Sequence, residues 1–585
     1  MRTCNLRCNE GQIIEPFVSS ATKKNWARLH TSLSGRLVSR ANKKLSQKKI
    51  IPREYFSHKT NLPMVRDFIA AVESLGASVG DALFTAGACL LERAGIVKLP
   101  HVQKILAETD FAFIDKLSSI ELPSNERDLL GLLYQSMVRE GEKNAVGLYY
   151  TPQKIASDIV KEFDFCNGQI LFDPCCGSGS FLLETDAQPQ QLIGADNDPV
   201  AVMLAKINLL LKFPSIEFIP RIFCLDFLSS EGGRIIRELS GTGFDYIATN
   251  PPWGAAAGNG SAPKGTPKES FTRFFVKSWE MLKSGGHIRF LFPKSVLNIK
   301  AHCGLRTYML EQCGISAITV YGDTFSGVAT DFIDIECKKG SANKTVLVKS
   351  RWSNQDVNIS CFYETANRSF CFLSNEDTEI LRIVKNAGRY TLADSVWALG
   401  IVTGDNKNKL TDEPAPHLEA IYTGKEIMPF VLSPAKHYIL YSRKELQQAA
   451  RDECYRASEK LAYKFISKKL VFAYDDTGSL FLNSANVLIP NIPSMSIKTV
   501  MAFLNSDLFG FVYSKMFGDV KVLKGNLIQL PFPRLSPKQN ILIESIVDEI
   551  LSGKNNGLLP MLQKAIFDVY GLSRRQTNII RAAVK

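Results

Sequence analysis

The sequence predicts an α/β protein: a doubly wound, Rossmann-like core, preceded by a helical N-terminal lobe and followed by a mixed α+β C-terminal domain. Three observations predict it. Short apolar runs alternate with longer amphipathic segments through the middle of the chain, the pattern of a parallel sheet covered on both faces. A turn with two glycines follows the first of those runs, as at the first strand of a ligand-binding sheet. Finally, 585 residues exceed what one core supports, while 45% hydrophobic and 22% charged residues are ordinary for globular structure. The expected division is 1–125 for the helical lobe, 126–385 for the core and 386–585 for the last domain.

The elements follow in order. Residues 16–53 are basic, with Lys23, Lys24, Arg28, Arg36, Arg40, Lys43, Lys44, Lys48 and Lys49, which suits either a solvated helical face or a phosphate-tracking surface. Residues 64–96 place apolar side chains at helical spacing, interrupted at Gly76 and Gly80, and predict two packed helices. "NERDLLGLLYQSMV" predicts another helix. It leads into "GLYYTPQKIASDIV", where Thr151 reads as a cap and Pro152 as the first helical residue. The core strands are "QILFDPCCG", "QLIGADND", "EFIPRIFCLDF", "FDYIATNPPW" and "HIRFLFPKSVL", with "AVMLAKINLLLKF" and "FFVKSWEMLKSGG" as helices between them. Past about 385 the alternation fades into Asn-, Lys- and Pro-punctuated sequence with short strands such as "KLVFAYDD" and "ANVLIPN".

Composition narrows the function classes. A net charge of +12 and a pI near 8.9 point to a phosphate-rich partner or an anionic surface. The thirteen cysteines are scattered, and the pair Cys175 and Cys176 is adjacent rather than spaced as metal ligands are, so reduced thiols and no metal are expected. The apolar run "ALFTAGACLL" lies between Asp81 and Glu92 and is too short for a bilayer, so no membrane span is expected. Glu10 and Glu15 interrupt any secretory signal, and a cytoplasmic location is the expectation.

Four short motifs carry chemistry. "FDPCCGSGSF" at 172–181 joins a strand to a helix through Gly177 and Gly179; it lacks the Lys-Ser/Thr of a phosphate loop and the third glycine of a dinucleotide fingerprint. "IGADNDPVAV" ends a strand at Asp196, where a carboxylate is placed to accept from a ribose diol, and "IFCLDFL" ends one at Asp226, which can bond the amino edge of a bound adenine. Capping a helix is the competing role for either aspartate alone. "ATNPPW" at 248–253 stops a strand with two prolines, which remove backbone donors and fix the chain.

Taken together, "GLYYTP", "FDPCCGSGSF", "GADND", "CLDF" and "NPPW" resemble the S-adenosylmethionine-dependent adenine-specific DNA methyltransferases, and their order is similar to the gamma class typified by the TaqI methyltransferase. The likeness covers roughly 126–335, with "GIVTGDNK" and "LNSDLFGFVY" to "LPFP" similar to parts of that family's C-terminal region. The resemblance implies that Tyr150, Thr151, Pro152, Asp173, Cys175, Gly177, Gly179 and Phe181 line the methyl-donor pocket, that Asp196 holds its ribose and that Asp226 holds its adenine. It implies a catalytic set of Asn250, Pro251, Pro252 and Trp253, with Phe325 closing an aromatic sandwich on a flipped base; the family more often has Tyr or Phe where Trp253 stands. The implied cofactor is S-adenosylmethionine with no metal. The implied partner is double-stranded DNA read by a target recognition domain over 386–585, with a separate cognate restriction endonuclease as a candidate partner.

The exocyclic nitrogen of adenine is a feeble nucleophile, because its lone pair is conjugated into the ring. Two oxygen acceptors, the Asn250 side chain and the Pro251 carbonyl, draw that nitrogen toward tetrahedral geometry without a strong base. The adenine must leave the duplex to reach them. Four alternatives stand beside this reading: a fused restriction enzyme, for which the N-terminal lobe offers no convincing Asp-x(n)-Glu-x-Lys nuclease arrangement; an adenine methyltransferase acting on RNA; a glutamine methyltransferase acting on a protein, which shares the Asn-Pro-Pro motif but needs no basic reading domain; and a catalytically dead DNA-binding subunit.

Overall fold

The computed structural model describes residues 49–584 apart from 140–141, 144–149, 167, 254–268, 322–331, 351–353, 518–520 and 554–556. The chain forms two compact units, with the boundary between Phe370 and Cys371. Among the described residues no helix is long and apolar enough to cross a membrane.

The first unit opens with α1 (Leu62–Leu75) and α2 (Val79–Arg93). Gly76 ends α1 in the left-handed region at φ 62°, and Ser78 opens α2 by accepting the Asp81 N–H, so a three-residue break, 76–78, separates them. Gly80, read from sequence as an interruption, lies inside α2, where a Cβ would stand 2.3 Å from the Phe111 ring. It is small for packing, not for turning. α3 (Leu129–Met137) and α4 (Gln153–Val160) follow. Pro152, not Thr151, occupies the capping position of α4, and no side chain caps it. The helix therefore starts one residue later than its sequence suggests.

A nine-stranded sheet follows: β1 (Leu171–Asp173), β2 (Leu192–Asp196), β3 (Arg221–Cys224), β4 (Phe244–Thr249), β5 (Leu282–Pro293), β6 (Gly314–Tyr321), β7 (Phe332–Lys338), β8 (Thr345–Ser350) and β9 (Asn354–Asn358), in the order β3-β2-β1-β4-β5-β7-β6-β8-β9. The first five are mutually parallel, joined by α5 (Ser180–Glu184), α6 (Pro199–Lys212), α7 (Ser230–Ser240) and α8 (Ser270–Glu280). β7 departs from the expected parallel order and runs antiparallel to both β5 and β6. The link from Tyr321 to Phe332, which are paired across the sheet, is too short for a helical crossover, and only an antiparallel neighbour can be reached that way. The N-terminal helices share one apolar core with α6 and the sheet; α2 meets α6 where Gly87 leaves room for Ile207.

The second unit has a four-stranded sheet in the order β11 (Val396–Leu399), β14 (Ala485–Ile489), β12 (Lys460–Lys464) and β13 (Phe472–Asp475), numbered as they fall in the chain after the short β10 (Gly388–Tyr390). Leu461, Tyr463, Phe472 and Leu488 face a helical core, while the alternate residues Ala462, Ala473 and Val487 face a second core that contains Ile421 and Ile439. Both faces being covered, the period of two is masked, and "KLAYK" is buried almost throughout. Lys460 and Asp475 form an ion pair inside this sheet.

Candidate active site

The strand order reverses between β1 and β4, so their C-terminal ends, with those of β2 and β3, open a crevice on one edge of the sheet. All four sequence motifs lie at these ends. At β1, Gly177 and Gly179 both take left-handed backbone, φ 55° and 94°. A Cβ on Gly177 would also stand 2.7 Å from the Tyr150 ring, so this position excludes a side chain twice over. Tyr150 is buried, and its hydroxyl has no hydrogen-bond partner among the described residues. Thr151 and Phe181 are buried beside it.

Asp196 at the tip of β2 accepts the Gly177 N–H at 2.9 Å and the Asp198 N–H at 3.0 Å. Asp198, not Asp196, caps α6. Likewise Ser229, not Asp226, caps α7, and the exposed Asp226 carboxylate accepts the Leu228 N–H of its own turn. The competing role suggested by sequence is thus filled by later residues in both places. Both carboxylates remain in the loops that border the crevice.

The fourth strand is tied directly to the first. Thr249 donates to Asp173 Oδ1 at 2.6 Å and lies 3.0 Å from Cys175 Sγ, which sets the turn beginning at Asn250 against the glycine loop. Asn250 is half-buried and Pro251 buried; the Pro252 carbonyl accepts from Ser270 Oγ at 2.5 Å, the first residue of α8. Trp253 lies 6.3 Å from the Phe332 ring, tilted by 43°, and Phe332 stacks on Tyr321 at 5.1 Å. Trp253 Nε1 has no partner among the described residues. Phe325 falls between Tyr321 and Phe332 in sequence and lies outside the described residues.

Burial sets the electrostatics. Asp173 is 1% exposed, its Oδ2 has no partner among the described residues, and desolvation pushes its carboxyl up to about 7. Desolvation raises Asp196 to about 6. A carboxyl raised in the folded state contributes stability that is complete below its unfolded value and is lost as pH rises through the folded one. The protein is therefore expected to lose stability between about pH 4 and about pH 7 through these two groups, and Asp173→Asn should flatten that dependence in thermal melts. A melt-versus-pH curve unchanged by Asp173→Asn would contradict it.

Sequence reading did not single out Asp128, Tyr134, Ser178, Asn208, Thr249 or Ser270. Each is a polar residue whose partner is distant in sequence, and a lone Asp, Ser or Asn carries no signal until the fold supplies that partner.

Comparison with known proteins follows this geometry. A family model described as N-6 DNA methylase matches residues 125–358, and one described as TaqI-like C-terminal specificity domain matches residues 419–532. The chain is 30% identical over 339 residues to the Type II methyltransferase M.VspI of Vibrio sp. (strain 343), covering 54% of this chain and 80% of that protein. It is 23% identical over 305 residues to the Type II restriction enzyme and methyltransferase RM.BcgI of Heyndrickxia coagulans, covering 44% of this chain and 46% of that protein. In fold it is similar to the solved Type IIL restriction-modification enzyme MmeI in complex with DNA, with a TM-score of 0.55 and 14% identity over 91% of this chain and 93% of that one.

Proposed function

This chain belongs to the N-6 adenine DNA methyltransferases of restriction-modification systems that carry a TaqI-like specificity domain, and from that premise we propose how its own residues perform the transfer. The reaction moves a methyl group from S-adenosylmethionine to the exocyclic nitrogen of an adenine extruded from double-stranded DNA. The observation that carries the assignment of residues is the Thr249 bridge to Asp173 and Cys175, because it sets the acceptor turn against the donor loop.

Two features suit the donor: Asp173 presents a buried carboxylate oxygen with no partner among the described residues, suited to a cationic group, and Gly177 and Gly179 have no side chains of their own, so the loop backbone can come close to a ligand. Tyr150, Thr151, Pro152, Cys175, Gly179 and Phe181 line it, Asp196 accepts from the ribose and Asp226 faces the adenine. When bound, S-adenosylmethionine supplies an electrophilic methyl on a sulfonium. Asn250 and Pro251 accept the two hydrogens of the target nitrogen and direct its lone pair, while Pro252 and Trp253 hold the turn and offer the base an aromatic face. Phe325 closes the other face. Because Asp196 must be ionised to accept, donor affinity is expected to fall as pH drops below about 6. Titration of donor binding against pH checks this; an affinity flat across that range would remove Asp196 from the pocket.

The deciding experiment is sequencing of genomic DNA from a host that expresses this chain, beside one that expresses Asn250→Ala. Modified adenine in one short motif, absent with the variant, is the expected result. Methyl label found on RNA or protein, or plasmid linearised when magnesium and donor are added, would overturn the reading. Protection from a separate cognate endonuclease that acts on the same motif in the cytoplasm completes the proposal.

A further inference from the structure

Ser178 stands between the two left-handed glycines of the proposed donor loop, and it is fully buried in a polar cluster. Its hydroxyl donates to Asp128 Oδ2 at 2.5 Å. Asn208 of α6 donates to Asp128 Oδ1 at 2.8 Å and to the Ser178 carbonyl at 2.9 Å, so Ser178 is held at both side chain and backbone. Asp128 also caps α3 by accepting the Gly131 N–H at 2.9 Å. A helix cap needs only that last bond. The other bonds reach fifty and eighty residues along the chain, to the loop and to α6.

Two further contacts on α3 bear on the same loops. Gly131 faces the cluster so closely that a Cβ would stand 2.4 Å from both Asp128 Oδ2 and Ser178 Oγ. One turn further, Tyr134 donates its hydroxyl to Asp198 at 2.5 Å, and Asp198 N–H bonds Asp196 in the loop that also holds Gly177. The Tyr134 ring lies 6.0 Å from Tyr150. One helix thus touches the glycine loop, the β2 acidic turn and the aromatic wall.

We propose that Asp128 is a positioning residue for methyl-donor binding: through Ser178 and Asn208 it fixes the glycine loop in its donor-receiving shape, and α3 serves as the brace that sets this loop against the acidic turn at Asp196. This rests on the donor-pocket assignment made above. Asp128 does not touch the donor. It acts by removing alternative shapes of a loop whose glycines would otherwise permit many.

The test compares the full-length wild type with Asp128→Asn, Ser178→Ala and the double variant. Three quantities are read: donor affinity by calorimetry, steady-state kinetics on methylatable DNA, and the melting temperature without donor. Each single variant is expected to weaken donor affinity and raise the donor KM about tenfold, the scale of one charge-assisted hydrogen bond, with kcat at saturating donor within about twofold of wild type. The double variant should be no weaker than the worse single variant, because both remove one shared link. Unchanged donor affinity in Ser178→Ala, or losses that simply multiply in the double variant, would overturn the proposal and leave Asp128 a helix cap. Ser178→Ala removes one hydroxyl and decides the matter alone should Asp128→Asn fail to fold. Wild type that binds no donor would instead sink the donor-pocket assignment, so the two failures are distinguishable.

Discussion

Asn250→Ala is expected to lower the rate of methyl transfer by about 10²–10³-fold while leaving donor affinity unchanged, the scale on which a single preorganised polar contact to a reacting group acts. The target nitrogen has its lone pair delocalised into the purine and gains nucleophilicity only as its geometry changes. An acceptor that bonds the nitrogen most strongly in its tetrahedral form stabilises the transition state more than the ground state, which lowers kcat when it is lost rather than raising KM. The turn is rigid because Pro251 and Pro252 fix the backbone, Thr249 is bonded to the donor loop, and Ser270 holds the Pro252 carbonyl. An alanine cannot be replaced there by a neighbour moving in. Single-turnover methylation with saturating donor measures the effect; a rate within a few-fold of wild type would remove Asn250 from the reaction.

Arg289→Met is expected to cost about 3–5 kcal/mol of stability near neutral pH, because it leaves an unpaired charge in the core. Arg289 on β5 and Asp334 on β7 are 2% and 1% exposed, and their 2.5 Å contact is joined by bonds from Arg289 to the Ile159 carbonyl at 2.9 Å and to Glu162 at 2.8 Å. Burial raises the Asp334 carboxyl, and the guanidinium beside it opposes that rise. With the guanidinium gone, only the raising cause remains. A carboxyl raised in the folded state contributes stability that is present at low pH and lost as pH climbs through its folded value, so the deficit of the variant should shrink as pH is lowered. Asp334→Leu added to Arg289→Met should recover most of the loss, as apolar replacements of buried ion pairs do. Urea unfolding of the three proteins at two pH values decides; a pH-independent deficit would contradict the account. The same arginine ties the last turn of α4 to the sheet, and α4 begins two residues after Thr151, so donor binding should weaken in Arg289→Met as well.

The backbone of the candidate site was legible because its motifs come in local clusters. The pairs Gly177–Gly179 and Pro251–Pro252 restrict or free the backbone by their own covalent structure, and a reader of the chain can recognise them without partners. Strand and helix alternation through the core was legible for the same local reason. Elements whose role depends on a distant partner were not. Gly80 looks like a break and is a packing contact for Phe111. Thr151 looks like a cap and is one residue outside its helix. The alternation in "KLAYK" vanishes because two cores claim its two faces.

Taken by itself, the sequence determined the α/β core, the order along it of the motifs proposed to bind donor and target, and the glycines and prolines that shape their turns, all of which depend on steric limits within a few residues. Only the tertiary structure decided that β7 runs against its neighbours, that Thr249 binds the donor loop, and that Asp128 reaches across to Ser178 and Asn208. Those depend on which surfaces meet when the sheet closes and water leaves, and hydrogen bonds between residues fifty to eighty positions apart leave no periodic trace in the chain.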